Sequence, residues 1–183
     1  GNNYYYLNDS PLYPVCSDKG ENNNWVLGVS AIDEAHHLAF FSNMGNNCID
    51  ITAPGINITS TVRYSPTSGL EEKYSGGWNG TSFATPMVSG AAALIKSIHP
   101  EWTANKIYEI LLSTVHHTPN KDEIGYSHLF GSGLLQVDKA VLKAMETKVP
   151  VTSVLALANT SSSTVIKWID SKSSMTWLNI PGL

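Results

Sequence analysis

Apolar residues are concentrated in two short runs and in one longer run of small and apolar residues. The runs at residues 25–33 and 49–55 are bounded by an Asn-rich stretch and by a Pro-Gly pair, which is typical of strands buried in a parallel sheet. Residues 38–42 predict a short edge element. The longer run, residues 81–95, is apolar or small on nearly every side, which indicates a buried helix rather than a surface helix.

Further along the chain, the spacing of apolar residues predicts two more helices. Thr103 is placed to cap a helix with apolar residues at helical intervals, namely Ile107, Ile110, Leu111 and Val115. Residues 131–135 predict a turn and a short strand, and a third helix follows them. Strands alternating with helices indicate an α/β domain. We expect this domain to comprise residues 1–147.

Residues 148–183 have a different composition and form a predicted β-rich tail. Strand-like runs at 151–157 and 165–169 flank a serine triplet, with Trp168 and Trp177 as candidate packing residues. Two or three strands rarely form a stable unit alone. The tail is therefore either a hairpin laid on the preceding domain or the start of a truncated downstream domain. Earlier in the chain, the glycines and proline of residues 61–78 predict a surface loop.

Composition and charge exclude some classes of partner. The chain has 183 residues, a net charge of -4 and 14% charged residues, which argues against nucleic acid or an anionic membrane as the main partner. No apolar stretch approaches the roughly 18 residues of a membrane span. The chain starts at Gly1 without a recognisable signal peptide, so we expect its N-terminus to arise by cleavage or truncation.

The two cysteines, Cys16 and Cys48, allow one disulfide in an oxidising compartment. The alternative is a pair of buried thiols. Both cysteines lie in segments expected near the same sheet edge, which favours the bridge.

The most informative segment is Asn79 to Gly90, where the predicted buried helix begins. A helix N-terminus presents unpaired N–H groups and a positive dipole end, so it could stabilise an oxyanion formed beside Ser82. Ser82 is therefore the candidate nucleophile. Gly80 would allow close approach to the backbone, and Pro86 is expected within about the first turn. A Gly-Thr-Ser tripeptide alone is more often a helix cap, with Thr81 or Ser82 accepting from a backbone N–H.

The complete run Gly-Thr-Ser-x-Ala-x-Pro-x-Val-Ser-Gly, residues 80–90, closely resembles the serine signature of the subtilisin-like proteases, or subtilases. Three further features agree with the family in order and rough spacing: the strand ending at Asp33, the pair Phe41-Ser42, and the turn at residues 53–55. The resemblance covers roughly residues 1–146. It implies a three-layer subtilisin-like fold with a mainly parallel sheet, of which this chain is the C-terminal half.

The resemblance also implies a function, a serine endopeptidase that forms an acyl-enzyme. Ser82 would attack the peptide carbonyl and Asn2 would be the side-chain oxyanion donor, since Gly1-Asn2 precedes Tyr13-Pro14 as in the family. Substrate contacts would come from Leu12, Asn79, Gly80 and Thr81. None of the six histidines has the sequence context of the family's catalytic histidine. The catalytic Asp and His are therefore expected before residue 1.

The remaining implications concern partners, cofactors and compartment. The expected partners are a protein or peptide substrate and the missing N-terminal half of the catalytic domain, in a secreted or cell-surface enzyme. No cofactor is needed for the chemistry, and a structural Ca²⁺ is implied by the resemblance alone. The alternative function is a non-catalytic, subtilase-derived binding module or an inactive fragment. An esterase is disfavoured because residues 80–84 end in Ala rather than the Gly of a nucleophile elbow.

Overall fold

The computed structural model describes residues 1–18, 26–117 and 129–147 in full, and the backbone of Lys148 and of three strands beyond it. In chain order the elements are β1 (Val29–Ile32), β2 (Ile51–Pro54), β3 (Ile58–Thr61), β4 (Tyr74–Trp78), α1 (Thr81–Ile98), α2 (Ala104–Ser113), α3 (Val137–Lys148), β5 (Leu157–Thr160), β6 (Ser163–Ile169) and β7 (Met175–Pro181). The presence of both helices and strands agrees with the predicted α/β class.

Strands β1 and β2 form the parallel pair on which helix α1 packs. Val29 pairs with Ile51 and Ala31 with Ala53, and all four side chains are buried. Single-residue bridges widen this sheet on both sides, at Leu38 next to β1 and at Leu134 next to β2. The edge element expected at 38–42 and the strand expected at 131–135 are therefore bridges rather than strands.

Helix α1 packs on this parallel pair along one face. Its buried residues recur at three- and four-residue intervals: Thr81, Ala84, Val88, Ala91 and Ile95. The expectation that the helix would be buried nearly all round is wrong for this chain, since its opposite face is open and Leu94 is 50% exposed. Pro86 also lies beyond the first turn, as the sixth helical residue. Its missing N–H leaves the Ser82 carbonyl without the usual helical partner.

Helices α2 and α3 pack against α1 and complete the core. The predicted cap of α2 is confirmed, because the Thr103 side chain accepts a hydrogen bond from the Lys106 backbone N–H. Ala140 and Ala144 of α3 are fully buried in the same core. Small side chains at these positions allow α3 to approach α1 closely.

Strands β3 and β4 form an antiparallel hairpin where a surface loop was predicted. Thr61 pairs with Tyr74 and Ile58 with Trp78, with an irregular register between them. The hairpin is well exposed, so the surface location was right and the lack of regular structure was wrong. Its second strand leads directly into Asn79-Gly80 and hence into α1.

The N-terminal segment is fastened to the residues around Cys48. Cys16 and Cys48 are joined by a disulfide, and both are buried with Leu7 and Ile49. The Asn8 side chain bonds to Asn46 and to the backbone N–H of Asn47. These contacts hold residues 1–18 beside the sheet, which positions Asn2 near α1.

The tail contains three antiparallel strands, with β6 between β5 and β7. The strand predicted at 165–169 lies within β6. Residues 151–156 and the side chains of Trp168 and Trp177 lie outside the described part of the chain. The division into units 1–147 and 148–183 stays a prediction. In the described ranges, no helix is long and apolar enough to cross a membrane.

Candidate active site

The sharp corner between β4 and α1 is built around Gly80. Its backbone has φ 155° and ψ 151°, and its N–H donates to the Gly55 carbonyl at 2.8 Å. A Cβ at this position would lie 3.3 Å from the Asn2 amide nitrogen. Glycine is required here by the positive φ and by the close approach of Asn2.

Ser82 is the second residue of α1 and is exposed. Its hydroxyl has no hydrogen-bond partner among residues 1–18, 26–117 and 129–147. Its backbone N–H belongs to the first helical turn, where N–H groups have no partner within the helix. Ser82 thus presents a free hydroxyl and a free donor on the same surface, at the positive end of the helix dipole.

Asn2 lies against the same helix end and is held there by Thr81. The Asn2 Oδ1 accepts from the Thr81 backbone N–H at 3.0 Å and from the Thr81 hydroxyl at 2.9 Å. Since an oxygen alone can accept both bonds, the amide nitrogen must occupy the other position of the carboxamide. The Nδ2 donors are therefore turned away from Thr81, towards the side on which Gly80 approaches.

The first N–H of α1 is capped by Asn2 from outside the helix. No side chain of the Gly-Thr-Ser sequence caps the helix, because the Thr81 hydroxyl donates to Asn2 instead. The Gly-Thr-Ser tripeptide therefore does not cap α1 with its own side chains, which is the common role of this sequence. Sequence reasoning assigned Thr81 to substrate contact and missed its bond to Asn2. No local pattern could reveal this bond, because the two residues are 79 positions apart.

Asn79 and its neighbours fix the approach to the helix. The Asn79 Oδ1 accepts from the backbone N–H of Asn57 at 2.8 Å, which ties the start of β3 to the end of β4. Trp78 stacks on Phe83 with ring centroids 6.0 Å apart. Asn79, Gly80, Thr81 and Asn2 are therefore brought together around Ser82.

Leu12 is not brought into this group by any described interaction. It lies in a turn where its carbonyl accepts from the Cys16 N–H, and its side chain is partly exposed. No hydrogen bond or apolar cluster links it to α1. Its predicted place in the substrate pocket stays a prediction.

Four of the five described histidines contact groups other than Ser82. His37 lies beside Asp33, His36 is close to His116, and both ring nitrogens of the buried His99 are hydrogen-bonded. His128 lies outside the described residues. Among the residues that are described, no base is therefore paired with the Ser82 hydroxyl.

A partly buried Asp–Tyr pair links the start of β1 to α2, and sequence reasoning missed it. The Asp50 carboxylate accepts from the Gly28 N–H at 2.6 Å and from the Tyr108 hydroxyl. Burial raises the pKa of Asp50, and burial with the bond to Asp50 raises the pKa of Tyr108. Asp50 precedes β2 by one residue, so this pair fastens the N-terminal ends of both parallel strands.

Comparison with known proteins identifies the family. The profile described as Subtilase family matches residues 1–133. Over 115 residues, 63% of this chain, the sequence is 40% identical to a subtilisin of Bacillus pumilus and 39% identical to Subtilisin E of Bacillus subtilis. The chain therefore belongs to the subtilase family, and its α/β fold is consistent with this assignment.

Solved structures agree with this assignment. A protease from Pseudoalteromonas arctica matches 67% of this chain with a TM-score of 0.53 and 32% identity. A chain of the subtilase cytotoxin SubAB matches 81% of it with a TM-score of 0.62 and 26% identity. The chain spans 37% and 48% of these structures, and 36% and 26% of the two curated subtilisins. It therefore corresponds to only part of its relatives.

Proposed function

We propose that this chain supplies the nucleophile and the oxyanion site of a serine endopeptidase. Ser82 attacks the carbonyl carbon of a peptide bond and forms an acyl-enzyme, which water then hydrolyses. The Asn2 side-chain N–H and the Ser82 backbone N–H bind the negative oxygen of the tetrahedral intermediate. Membership of the subtilase family and the exposed, unbonded Ser82 hydroxyl support this proposal.

The strongest support for the proposal is the pair of hydrogen bonds that Thr81 donates to the Asn2 side-chain oxygen. An oxyanion donor is effective only if it is oriented before the reaction starts. Because the Asn2 oxygen accepts two bonds from Thr81, the amide N–H donors have a defined direction beside the helix N-terminus. A purely structural cap would need only the backbone N–H of Thr81, not its hydroxyl.

The general base and its orienting carboxylate come, in this proposal, from sequence outside the chain. The relatives are roughly three to four times as long as the matched segment, which leaves ample sequence for both residues. The complete domain would then be the three-layer subtilisin-like fold with a mainly parallel sheet. The missing half is accordingly the first partner of this chain, and isolated activity is expected to be negligible.

Substrate would be a protein or peptide that passes the corner at Asn79 to Thr81. Leu12 is proposed to floor the pocket for the residue before the scissile bond. The chemistry itself requires no cofactor. In the described ranges, no group of three or more His, Cys, Asp or Glu side chains is placed to hold a metal. A secreted or surface-bound enzyme fits the Cys16–Cys48 disulfide, which needs an oxidising compartment.

The alternative proposal is a non-catalytic module that retains the family fold. It is supported only by the absence of a base beside Ser82 among the described residues. It does not explain why the Ser82 hydroxyl is free and why a side-chain donor is oriented beside it.

Peptide hydrolysis by complementation tests the proposal. The chain is combined with its restored upstream sequence, and cleavage of unfolded casein is measured beside the chain alone. We expect cleavage only with the upstream sequence, complete loss in Ser82→Ala, and retention in Ser89→Ala, an exposed serine two turns along the same helix. Equal activity of the Ser82→Ala and unmodified proteins would contradict the proposed nucleophile.

A further inference from the structure

Two histidines from distant parts of the chain meet on the surface. His36 belongs to the turn after β1, and His116 follows α2, yet their ring centroids are 6.1 Å apart with the rings inclined by 64°. Neither ring has a hydrogen-bond partner among the described residues. The free ring nitrogens are therefore open to a ligand from solution.

Both backbones are held before any ligand binds. The Asp33 carboxylate accepts from the N–H groups of Ala35 and His37, both at 2.9 Å, which fixes the turn that carries His36 in a left-handed conformation with φ 65°. His116 exchanges two backbone hydrogen bonds with Leu134, at 2.8 and 3.0 Å. The apolar cluster of Ile32, Phe130 and Leu134 lies beneath this region. Only side-chain torsions remain adjustable.

The separation of the rings suits one shared metal ion. Two imidazoles bound to the same Zn²⁺ through bonds of about 2.0–2.1 Å have ring centres roughly 5–6 Å apart. The observed 6.1 Å reaches this range after a small rotation of either side chain. Imidazole nitrogen suits Zn²⁺, Ni²⁺ and Cu²⁺ better than Mg²⁺ or Ca²⁺.

We propose that His36 and His116 form a two-histidine binding site for a late first-row divalent cation of the class of Zn²⁺, with water completing the coordination. The cation would link the turn after β1 to the segment after α2, across 80 positions of sequence. This site is independent of the proposed peptidase function. In the described ranges, no group of three or more His, Cys, Asp or Glu side chains is placed to hold a metal, so water would supply the remaining ligands.

Several other potential ligands in the described part of the chain are already bonded. Both nitrogens of His99 are already bonded, to Glu101 and to the Ala144 carbonyl, and His99 is buried. Cys16 and Cys48 are joined to each other. His117 is exposed and next to His116, which makes it a matched control.

Titration of the full chain, prepared without an affinity tag, with Zn²⁺ alone tests the site. We expect one bound Zn²⁺, tighter binding of Cu²⁺ in line with the general order of affinities, and no binding of Mg²⁺. His36→Asn and His116→Asn should each weaken Zn²⁺ binding by roughly tenfold or more, because one of two protein ligands is lost. Asn is chosen because it tolerates the left-handed backbone at residue 36. His117→Asn should bind like the unmodified chain.

A second measurement does not depend on the variants. Substoichiometric Cu²⁺ should broaden amide NMR signals of residues 33–37 and 115–117 first, and those around His99 should stay sharp. Zn²⁺ should raise the melting temperature of the unmodified chain and of His117→Asn, and not of His36→Asn. Unchanged Zn²⁺ affinity in both His36→Asn and His116→Asn, or broadening centred elsewhere, would overturn the proposal.

Discussion

At the scale of single residues, the proposed oxyanion site depends on the direction in which the Asn2 side chain points. Its side-chain oxygen accepts two hydrogen bonds from Thr81, so its amide N–H groups are the donors available to an oxyanion. The bond from the Thr81 hydroxyl fixes this orientation more firmly than the backbone bond would alone. Asn2 therefore combines a capping role for α1 with a proposed catalytic role.

Replacing Asn2 by Ala should reduce turnover in the chain extended by its upstream sequence and leave KM little changed. The expected loss is about 10²–10³-fold, a magnitude measured for one oxyanion donor in a subtilisin, which we adopt rather than derive. Steady-state kinetics on a peptide ester or amide would check this. Asn3→Ala is the matched control, since the exposed side chain of Asn3 makes no described hydrogen bond. Equal losses in the two variants would contradict the oxyanion role.

Part of the candidate site could be proposed from the sequence, and the reason is local. Ser82 and Gly80 belong to one continuous signature, so a single stretch of sequence identifies both as candidates. Asn2 could be proposed only through the order of family segments, and its bond to Thr81 could not be foreseen. Contacts between segments 79 positions apart depend on the packing of the whole sheet, which no local pattern contains.

At the scale of elements, Asp50 should make stability depend on pH. Its pKa is raised in the folded chain, chiefly by burial, above the value of about 3.9 for an aspartate in an unfolded chain. Between these two values the folded state binds more protons than the unfolded state, so the free energy of unfolding falls as the pH rises. Denaturant titrations at several pH values should show this slope.

Two variants of this pair give opposite results. Asp50→Asn should remove the slope because the titrating group is gone. Tyr108→Phe should extend the slope to higher pH, because the Tyr108 hydrogen bond lowers the pKa of Asp50 and its loss lets the pKa rise further. Each unit of pKa difference between the two states is worth about 1.4 kcal/mol. An unchanged slope in Asp50→Asn would show that another group is responsible.

His99 should be the main polar link between α1 and α3. It is 5% exposed, its Nδ1 lies 2.7 Å from Glu101, its Nε2 lies 2.9 Å from the Ala144 carbonyl, and its ring stacks on Trp102. His99→Ala should lower the free energy of unfolding by about 2–4 kcal/mol, through lost hydrogen bonds and a cavity. Chemical denaturation is the measurement. The exposed His117→Ala should change it by less than about 0.5 kcal/mol, and an equal effect of both would contradict this role.

The helices and strands that could be predicted have a regular spacing or a short run of apolar residues within their own sequence. Helix α2 has both a cap and apolar residues at helical spacing, and β1 and β2 are short apolar runs. The hairpin of β3 and β4 was missed because the glycines and proline of residues 61–78 are as typical of loops as of hairpins. Its strands are exposed, so no buried alternation of side chains indicates them.

At the scale of the whole molecule, one face of helix α1 is exposed although its sequence is apolar or small on nearly every side. Hydropathy predicted burial on nearly all sides, and the described residues cover only one side. The apolar residues of a helix reflect the contacts that it makes in the complete domain, including contacts with segments outside this chain. We propose that the exposed Leu94 is part of a surface that the proposed partner segment of the catalytic domain would cover.

This interpretation predicts self-association of the isolated chain. Light scattering with size-exclusion chromatography should show oligomers or aggregates, because large exposed apolar surfaces favour association. Leu94→Gln should shift the population towards monomer, whereas Leu142→Gln, on the exposed side of α3, should have a smaller effect. A monomeric unmodified chain at high concentration would contradict the open interface.

Labelling with a fluorophosphonate probe tests whether Ser82 is a nucleophile whose general base comes from outside this chain. The probe would be applied to the chain alone and to the chain with its upstream sequence, and the adduct would be located by peptide mass spectrometry. We expect modification of Ser82 only in the longer protein, with none in Ser82→Ala. Absence of labelling at Ser82 in the longer, folded protein would contradict the proposed nucleophile and favour a non-catalytic module.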